Sequence, residues 1–192
     1  MKKNLILASS SPRRRELLGL LRVPFTIVPS VYEEDASGAD GPHELVRRLA
    51  LGKALDVAAR ARNAVVIGAD TIVVLGKTVL GKPKSATHAR EMLRKLSGKA
   101  HSVITGFSVI DTESGKRMVC VSETKVYFRK LAPREIAAYV ATGEPFDKAG
   151  AYAIQGFASV FVEKIAGDYF TIVGLPVSAL AQALKKFGVS AL

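Results

Sequence analysis

Residues 5–17, Leu-Ile-Leu-Ala-Ser-Ser-Ser-Pro-Arg-Arg-Arg-Glu-Leu, constrain this chain more than any other stretch. The apolar run 5–8 predicts a short buried strand. Three serines and Pro12 follow, then a helical pattern carrying Leu17, Leu18 and Leu21. Ser11 suits the N-cap, because its hydroxyl accepts from a free helix amide. Pro12 suits the first helical position, where no amide donor is needed. Strand, tight turn and helix start in immediate succession make a ready anion site. Arg13, Arg14 and Arg15 fall in the first helical turn, where cations oppose the helix dipole at roughly a few tenths of a kcal/mol each. A bound polyanion reverses that sign; otherwise the stretch is a solvated basic helix start.

At 192 residues the chain is one large domain or two small lobes sharing a core. That length buries a self-sufficient core without metal or disulfide staples. The net charge of +11 favours an anionic partner, whether nucleotide, nucleic acid or acidic surface. Cys120 is the single cysteine, so no intrachain disulfide forms and a reducing cytoplasm is expected. The first residues briefly resemble a signal peptide, but the apolar stretch is too short and arginines follow at once. No run approaches a membrane-spanning length, so no membrane partner is expected.

Along the chain, strands are expected at 25–28, 64–68 continuing through 72–75, 78–80, 102–110, 118–128 and 170–173. Helices are expected at 42–62, from a Ser85 cap through Leu96, at 133–141 and at 176–187. Residues 31–41 read as an acidic loop, 76–77 as a hairpin turn and 154–162 as mixed extended chain. Helices alternate with strands, but the central hairpin breaks strict βαβ order. The expectation is an α/β fold: a mixed twisted sheet flanked by helices, with two lobes and a cleft between them.

Asp70, in Gly-Ala-Asp-Thr at 68–71, follows a buried apolar strand. Strand ends of α/β sheets face the ligand crevice, and a carboxylate there holds a cation, acts as a base or merely starts a turn. Lys53 lies in the helical stripe of Val46, Leu49 and Val57, where a lysine ordinarily covers apolar surface with its stem. Lys82, in Gly-Lys-Pro, is a phosphate-binding candidate or an ordinary exposed lysine. Glu33, Glu34 and Asp35 offer oxygens to a hard cation such as Mg²⁺ or form a solvated acidic loop. The small residues of 147–156 either let backbone approach a ligand or pack a tight turn. Gln155 there donates and accepts together and so is able to read a base edge.

Common nucleotide signatures are missing: neither Gly-x-x-x-x-Gly-Lys-Ser/Thr nor a Gly-x-Gly-x-x-Gly after a strand occurs. His43, His88 and His101 lack zinc spacing. No Gly-x-Ser-x-Gly accompanies the serines, which argues against a serine hydrolase.

Ala-Ser-Ser-Ser-Pro-Arg-Arg (8–14), the Glu33-Glu34 loop, Ala-Leu-Gly-Lys-Ala (50–54), Gly-Ala-Asp-Thr, Gly-Lys-Pro, Leu-Ser-Gly (96–98), Asp-Lys-Ala-Gly-Ala-Tyr (147–152) and Val-Gly-Leu-Pro (173–176) occur in this order. In that combination the chain resembles the Maf family of nucleotide pyrophosphatases from Leu5 to about Phe187. The resemblance implies a single domain over 1–192 that hydrolyses nucleoside triphosphates to monophosphate and pyrophosphate with a divalent metal, Mg²⁺ or Mn²⁺. It also implies a link to restraint of cell division and a homodimer. By position, Asp70 matches the family's catalytic aspartate, as base or metal ligand. Ser9, Arg13, Arg14, Lys53 and Lys82 match its phosphate-side positions, and Glu33 its metal-side acidic position. Arg13, Thr71 and Gln155 look like the subgroup acting on dTTP and UTP rather than the 7-methyl-GTP subgroup. Thr71, directly after Asp70, is expected close to the reacting end. Ala153 stands where many members have glycine, and Arg15 and Arg47-Arg48 are left unassigned.

The competing reading is a basic module that contacts nucleic acid or a division-site partner without turnover. A nucleic-acid binder interleaves aromatics with its basic patch. None lies among Arg13, Arg14 and Arg15, which argues against that partner.

Overall fold

The serine turn opens the fold as its residues dictate. In the computed structural model, which describes residues 3–35 and 38–190, strand β1 (Asn4–Leu7) leads into helix α1 (Pro12–Gly19). Pro12 begins that helix, and the Ser11 hydroxyl accepts from the Arg14 amide. Leu17 and Leu18 are its buried residues.

The remaining elements are β2 (Thr26–Ile27), α2 (Pro42–Ala58), β3 (Ala64–Leu75), β4 (Thr78–Leu80), α3 (Ala86–Leu96), β5 (Ala100–Asp111), β6 (Arg117–Phe128), α4 (Pro133–Ala141), β7 (Val162–Ala166), α5 (Tyr169–Val173) and α6 (Val177–Lys185). Short 3₁₀ turns lie between α4 and β7. The strands form one mixed seven-stranded sheet in the order β2-β1-β3-β5-β6-β7, with β4 on β3. β1 runs parallel to β2 and β3, whereas β4 is antiparallel to β3 and β7 to β6. The α/β expectation therefore holds. Among the described residues no helix is long and apolar enough to cross a membrane.

Several elements differ from expectation. Residues 170–173 lie in helix α5, because the Asp168 carboxylate accepts from the amides of Phe170 and Thr171 and from the Thr171 hydroxyl. That cap overrides the β-propensity of Phe-Thr-Ile-Val. Residues 157–161 form a 3₁₀ turn, and extended chain resumes only at Val162. Helix α2 stops at Ala58 rather than at 62. The acidic loop at 31–41 is a loop where described; Ala36 and Ser37 lie outside the described residues.

The chain divides into two compact units. The first takes residues up to Asp70, Thr105–Ser122 and the chain from Gly174 onward. Helix α2 packs very closely on the sheet in this unit. A Cβ on Gly68 would overlap the Ala50 carbonyl and Ala54, and one on Gly106 would overlap the Val46 carbonyl. The Ser108 hydroxyl donates to the Ala50 carbonyl at 2.9 Å. Ala54, Val57, Ala64 and Val66 share one apolar cluster between helix and strand. The second unit, Thr71–Ile104 with Glu123–Val173, has its own core around Leu93, Leu96, Phe128, Tyr139 and Phe161. Burying side chains of this size is worth about 1.5–3 kcal/mol each.

Candidate active site

Side chains alternate along a strand, so residues 64, 66, 68 and 70 of β3 share a face. Ala64 and Val66 pack with α2 on that face, and Gly68 lets the helix approach. Asp70 is next in the series, and Lys53 precedes Ala54 on α2. The Lys53 ammonium accordingly lies 2.5 Å from Asp70 Oδ1. Asp70 does not stand at a strand end, as the apolar run 64–68 suggests, but inside a continuous twelve-residue strand. Gly68 is there for helix contact and not to end the strand. Because β3 is unbroken, Thr71 and Asp70 point to opposite faces of the strand.

The acidic loop is laid along the same helix. The Val31 amide donates to Asp56 at 2.9 Å, and Arg48 donates to the Asp35 carbonyl at 2.6 Å. The Tyr32 ring sits against Gly52, where any Cβ would overlap it. Glu34 is thereby delivered to Lys53, with Oε1 2.6 Å from the ammonium. Two carboxylates thus converge on one cation. The Lys53 and Asp70 side chains are only 13% and 10% exposed, whereas Glu34 is 56% exposed. Glu33, the position named from sequence, is exposed.

The serine turn supplies the second cationic group. Ser9 is buried, and its Oγ accepts from the Ser11 amide at 3.2 Å and from Arg14 Nη1 at 3.5 Å. Arg14 Nε donates to the Gly174 carbonyl at 3.0 Å. Burial lowers the affinity of Arg14 for its proton; the charges of Asp70 and Glu34 oppose that effect and that of Arg13 adds to it. Ser9, Arg13, Arg14, Glu34, Lys53 and Asp70 all belong to the first unit. The Gly174 anchor and the Glu34 contact escape pattern reading, since neither has a periodicity to reveal it.

Thr71, Lys82 and Gln155 belong to the second unit. Thr71 is half-buried and Lys82 exposed. Gln155 is exposed in a tight turn closed by the Gly156 amide donating to the Ala153 carbonyl at 3.1 Å. Gly150, expected to admit a ligand or a packed turn, does the latter: a Cβ there would lie 3.0 Å from both Val73 methyls.

Among the described residues no group of three or more His, Cys, Asp or Glu side chains is placed to hold a metal. The Glu34–Asp70 pair nevertheless suits a small hard cation. Mg²⁺ is commonly held by one or two carboxylates with substrate phosphates and waters completing its shell.

Known proteins resemble the chain over nearly its whole length. The family model described as Maf-like protein matches residues 4–187. A dTTP/UTP pyrophosphatase of Alkaliphilus metalliredigens is 52% identical over 185 residues, covering 96% of both chains. Another, of Pelotomaculum thermopropionicum, is 49% identical over 99% of this chain and 100% of its own. A HAM1 protein from Coxiella burnetii is similar in fold, with a TM-score of 0.51 at 13% identity over 96% of this chain and 99% of its own.

Proposed function

This chain belongs to the Maf family, and on that premise we propose that it hydrolyses dTTP and UTP to the monophosphate and pyrophosphate. The observation that carries the reading is the meeting of Lys53, Asp70 and Glu34 beside the anchored Arg14. Cleavage of the anhydride between the α- and β-phosphates develops negative charge on the leaving pyrophosphate. Fixed cations stabilise that charge without reorganising. Arg13, Arg14, Lys53 and Lys82 take this role, with Ser9 orienting Arg14. Asp70 orients the attacking water and accepts its proton. Thr71 and Gln155 contact the base. Uracil and thymine present two carbonyl acceptors flanking one N–H, and a glutamine amide meets one acceptor and that donor together.

Glu34 and Asp70 would hold a divalent cation, Mg²⁺ or Mn²⁺, and Glu33 is a further candidate oxygen donor. Such an ion supplies Lewis-acid stabilisation of phosphoryl oxygens. A cytoplasmic location and a homodimer are proposed alongside, the latter tested by sedimentation equilibrium.

The deciding experiment is product analysis from dTTP with Mg²⁺ or Mn²⁺. dTMP and pyrophosphate are expected, whereas dTDP and orthophosphate overturn the reaction class. Catalytic efficiencies should favour dTTP and UTP over CTP and the purine triphosphates. Preference for 7-methyl-GTP would move the chain to the other subgroup.

A further inference from the structure

Gln155 occupies the third position of the turn from Ala153 to Gly156, and both flanks of that turn are tied to the same pair of side chains. On the entering side, the Ala153 amide donates to the Tyr139 hydroxyl oxygen at 3.3 Å. On the leaving side, the Phe157 amide donates to Glu144 Oε2 at 3.0 Å. The Tyr139 hydroxyl donates to Glu144 Oε1 at 2.9 Å and closes the ring of bonds. A phenol has one donor and two lone pairs, so Tyr139 makes both of its bonds at once. Gly156 is part of the same fit. A Cβ there would overlap the Glu144 carboxylate, so only glycine lets the acid lie against the turn.

The two side chains are themselves held. Tyr139 is buried on α4, with its ring edge-on to Phe161 at 5.2 Å between centroids. The Thr142 hydroxyl donates to the Tyr139 carbonyl at 2.7 Å and accepts from the Glu144 amide at 3.2 Å. Burial and the nearby carboxylate both push the Tyr139 phenol well above its ordinary range, so it keeps its proton and donates a hydrogen bond at any physiological pH. Packing alone does not place the turn. Ala153 is buried, but Gln155 is exposed and the Phe157 side chain is 69% exposed. Between the buried Ala153 and the buried Ala158, the exposed part of the turn is held to the protein by the bond from the Phe157 amide to Glu144.

We infer that Tyr139 and Glu144 are positioning residues for base selection, holding the turn that presents the Gln155 amide. The inference rests on the base-reading role given to Gln155 above. An amide fixed before the substrate arrives discriminates between hydrogen-bond patterns; one on a loose turn pays an ordering cost for every base alike.

The test follows amide hydrogen exchange at Ala153 and Phe157 together with the ratio of kcat/KM for dTTP to that for CTP. Glu144→Ala is expected to speed exchange at Phe157 and to lower the ratio by roughly three- to tenfold, the scale of one lost hydrogen bond. The loss should lie in KM for dTTP. Tyr139→Phe keeps the ring in the core and should act in the same direction through Ala153. Glu144→Gln retains an acceptor for the Phe157 amide and should preserve more of the ratio than Glu144→Ala. Glu144→Ala combined with Gln155→Ala should be no less selective than Gln155→Ala alone. Faster exchange with an unchanged ratio, or independent losses in the double variant, would overturn the positioning role. A ratio untouched by Gln155→Ala alone would instead overturn the base-reading role, and the positioning role with it.

Discussion

The ammonium of Lys53 lies 2.5 Å from Oδ1 of Asp70, and the contact joins the middle of helix α2 to the middle of strand β3. Both groups are nearly buried, so the pair is an arrangement of function more than of stability: taking two charges out of water offsets most of their attraction. Removing one partner is a different matter, because the other is left buried and uncompensated.

Lys53→Met keeps an apolar stem in the helical stripe and removes the charge. It should cost about 3 kcal/mol of stability by leaving Asp70 buried without its ammonium. Adding Asp70→Asn should recover most of that loss. Urea unfolding of both single variants and the double closes the cycle; additive losses would show that the pair is not coupled. Asp70→Asn alone should fold, since Lys53 retains Glu34 at 2.6 Å. Its turnover should fall on the order of 10²-fold or more if proton transfer is lost.

Arg14 is anchored by the Gly174 carbonyl at 3.0 Å and by Ser9 Oγ, whereas Arg13 beside it is half-exposed. A lysine has one compact ammonium and cannot hold such an anchor while presenting charge elsewhere. Arg14→Lys should therefore lower kcat/KM for dTTP by roughly 10- to 100-fold, the worth of a hydrogen bond to a charged group. Arg13→Lys should be milder. Steady-state kinetics on the two variants decides the matter, and equal effects would show that the anchor has no part in catalysis.

Much of this was legible in the residues. Ser11 and Ser85 both cap the helices they precede, and the Gly76-Lys77 hairpin pairs Val73 with Leu80 as expected. These features are local, and their chemistry acts over a few residues. The failures are tertiary or competitive. Gly68 reads as the end of a strand because its reason, a helix backbone packed against it, lies some fifteen residues away in sequence. Asp168 is a helix cap set before a β-favouring run, and the cap prevails. In the acidic loop, adjacent glutamates are indistinguishable by pattern, and the docking of Val31, Tyr32 and Asp35 on α2 directs Glu34 toward Lys53. The charge, the serine turn and the order of motifs pointed to Arg14, Lys53 and Asp70, but neither to the pairing of Lys53 with Asp70 nor to Glu34 as the second acid on Lys53.

His101 provides a pH test independent of catalysis. It is buried, its Nε2 pairs with the Tyr152 hydroxyl at 2.8 Å, and its Nδ1 has no hydrogen-bond partner among the described residues. Burial lowers its pKa from 6.5 to about 4. The folded protein thus binds fewer protons than the unfolded chain between these values. The stabilising contribution is complete above pH 6.5 and is lost as pH falls toward 4, amounting to about 3 kcal/mol across the window. Urea unfolding at several pH values should show this slope, and His101→Phe should flatten it. An unchanged slope in the variant would place the acid sensitivity elsewhere.

The close seating of α2 makes the last prediction. A Cβ on Gly68 would meet the Ala50 carbonyl oxygen and the Ala54 amide, both backbone atoms of the helix. Neither can rotate away as a side-chain tip would, so Gly68→Ala must lift the helix from the strand, at a cost of about 1–3 kcal/mol. Lys53 adjoins Ala54 and moves with it, while Asp70 stays on the strand. A displacement near 1 Å at a reacting group is enough to cost on the order of 10² in rate. Gly106→Ala supplies the control: its Cβ would meet the Val46 carbonyl, about two helical turns from Lys53. The two variants should lose similar stability in urea unfolding, yet Gly68→Ala should lose far more kcat/KM for dTTP at a temperature where both are folded. Equal losses of activity would mean that the helix moves as a rigid body, and that the spacing of Lys53 from Asp70 is not set at Gly68.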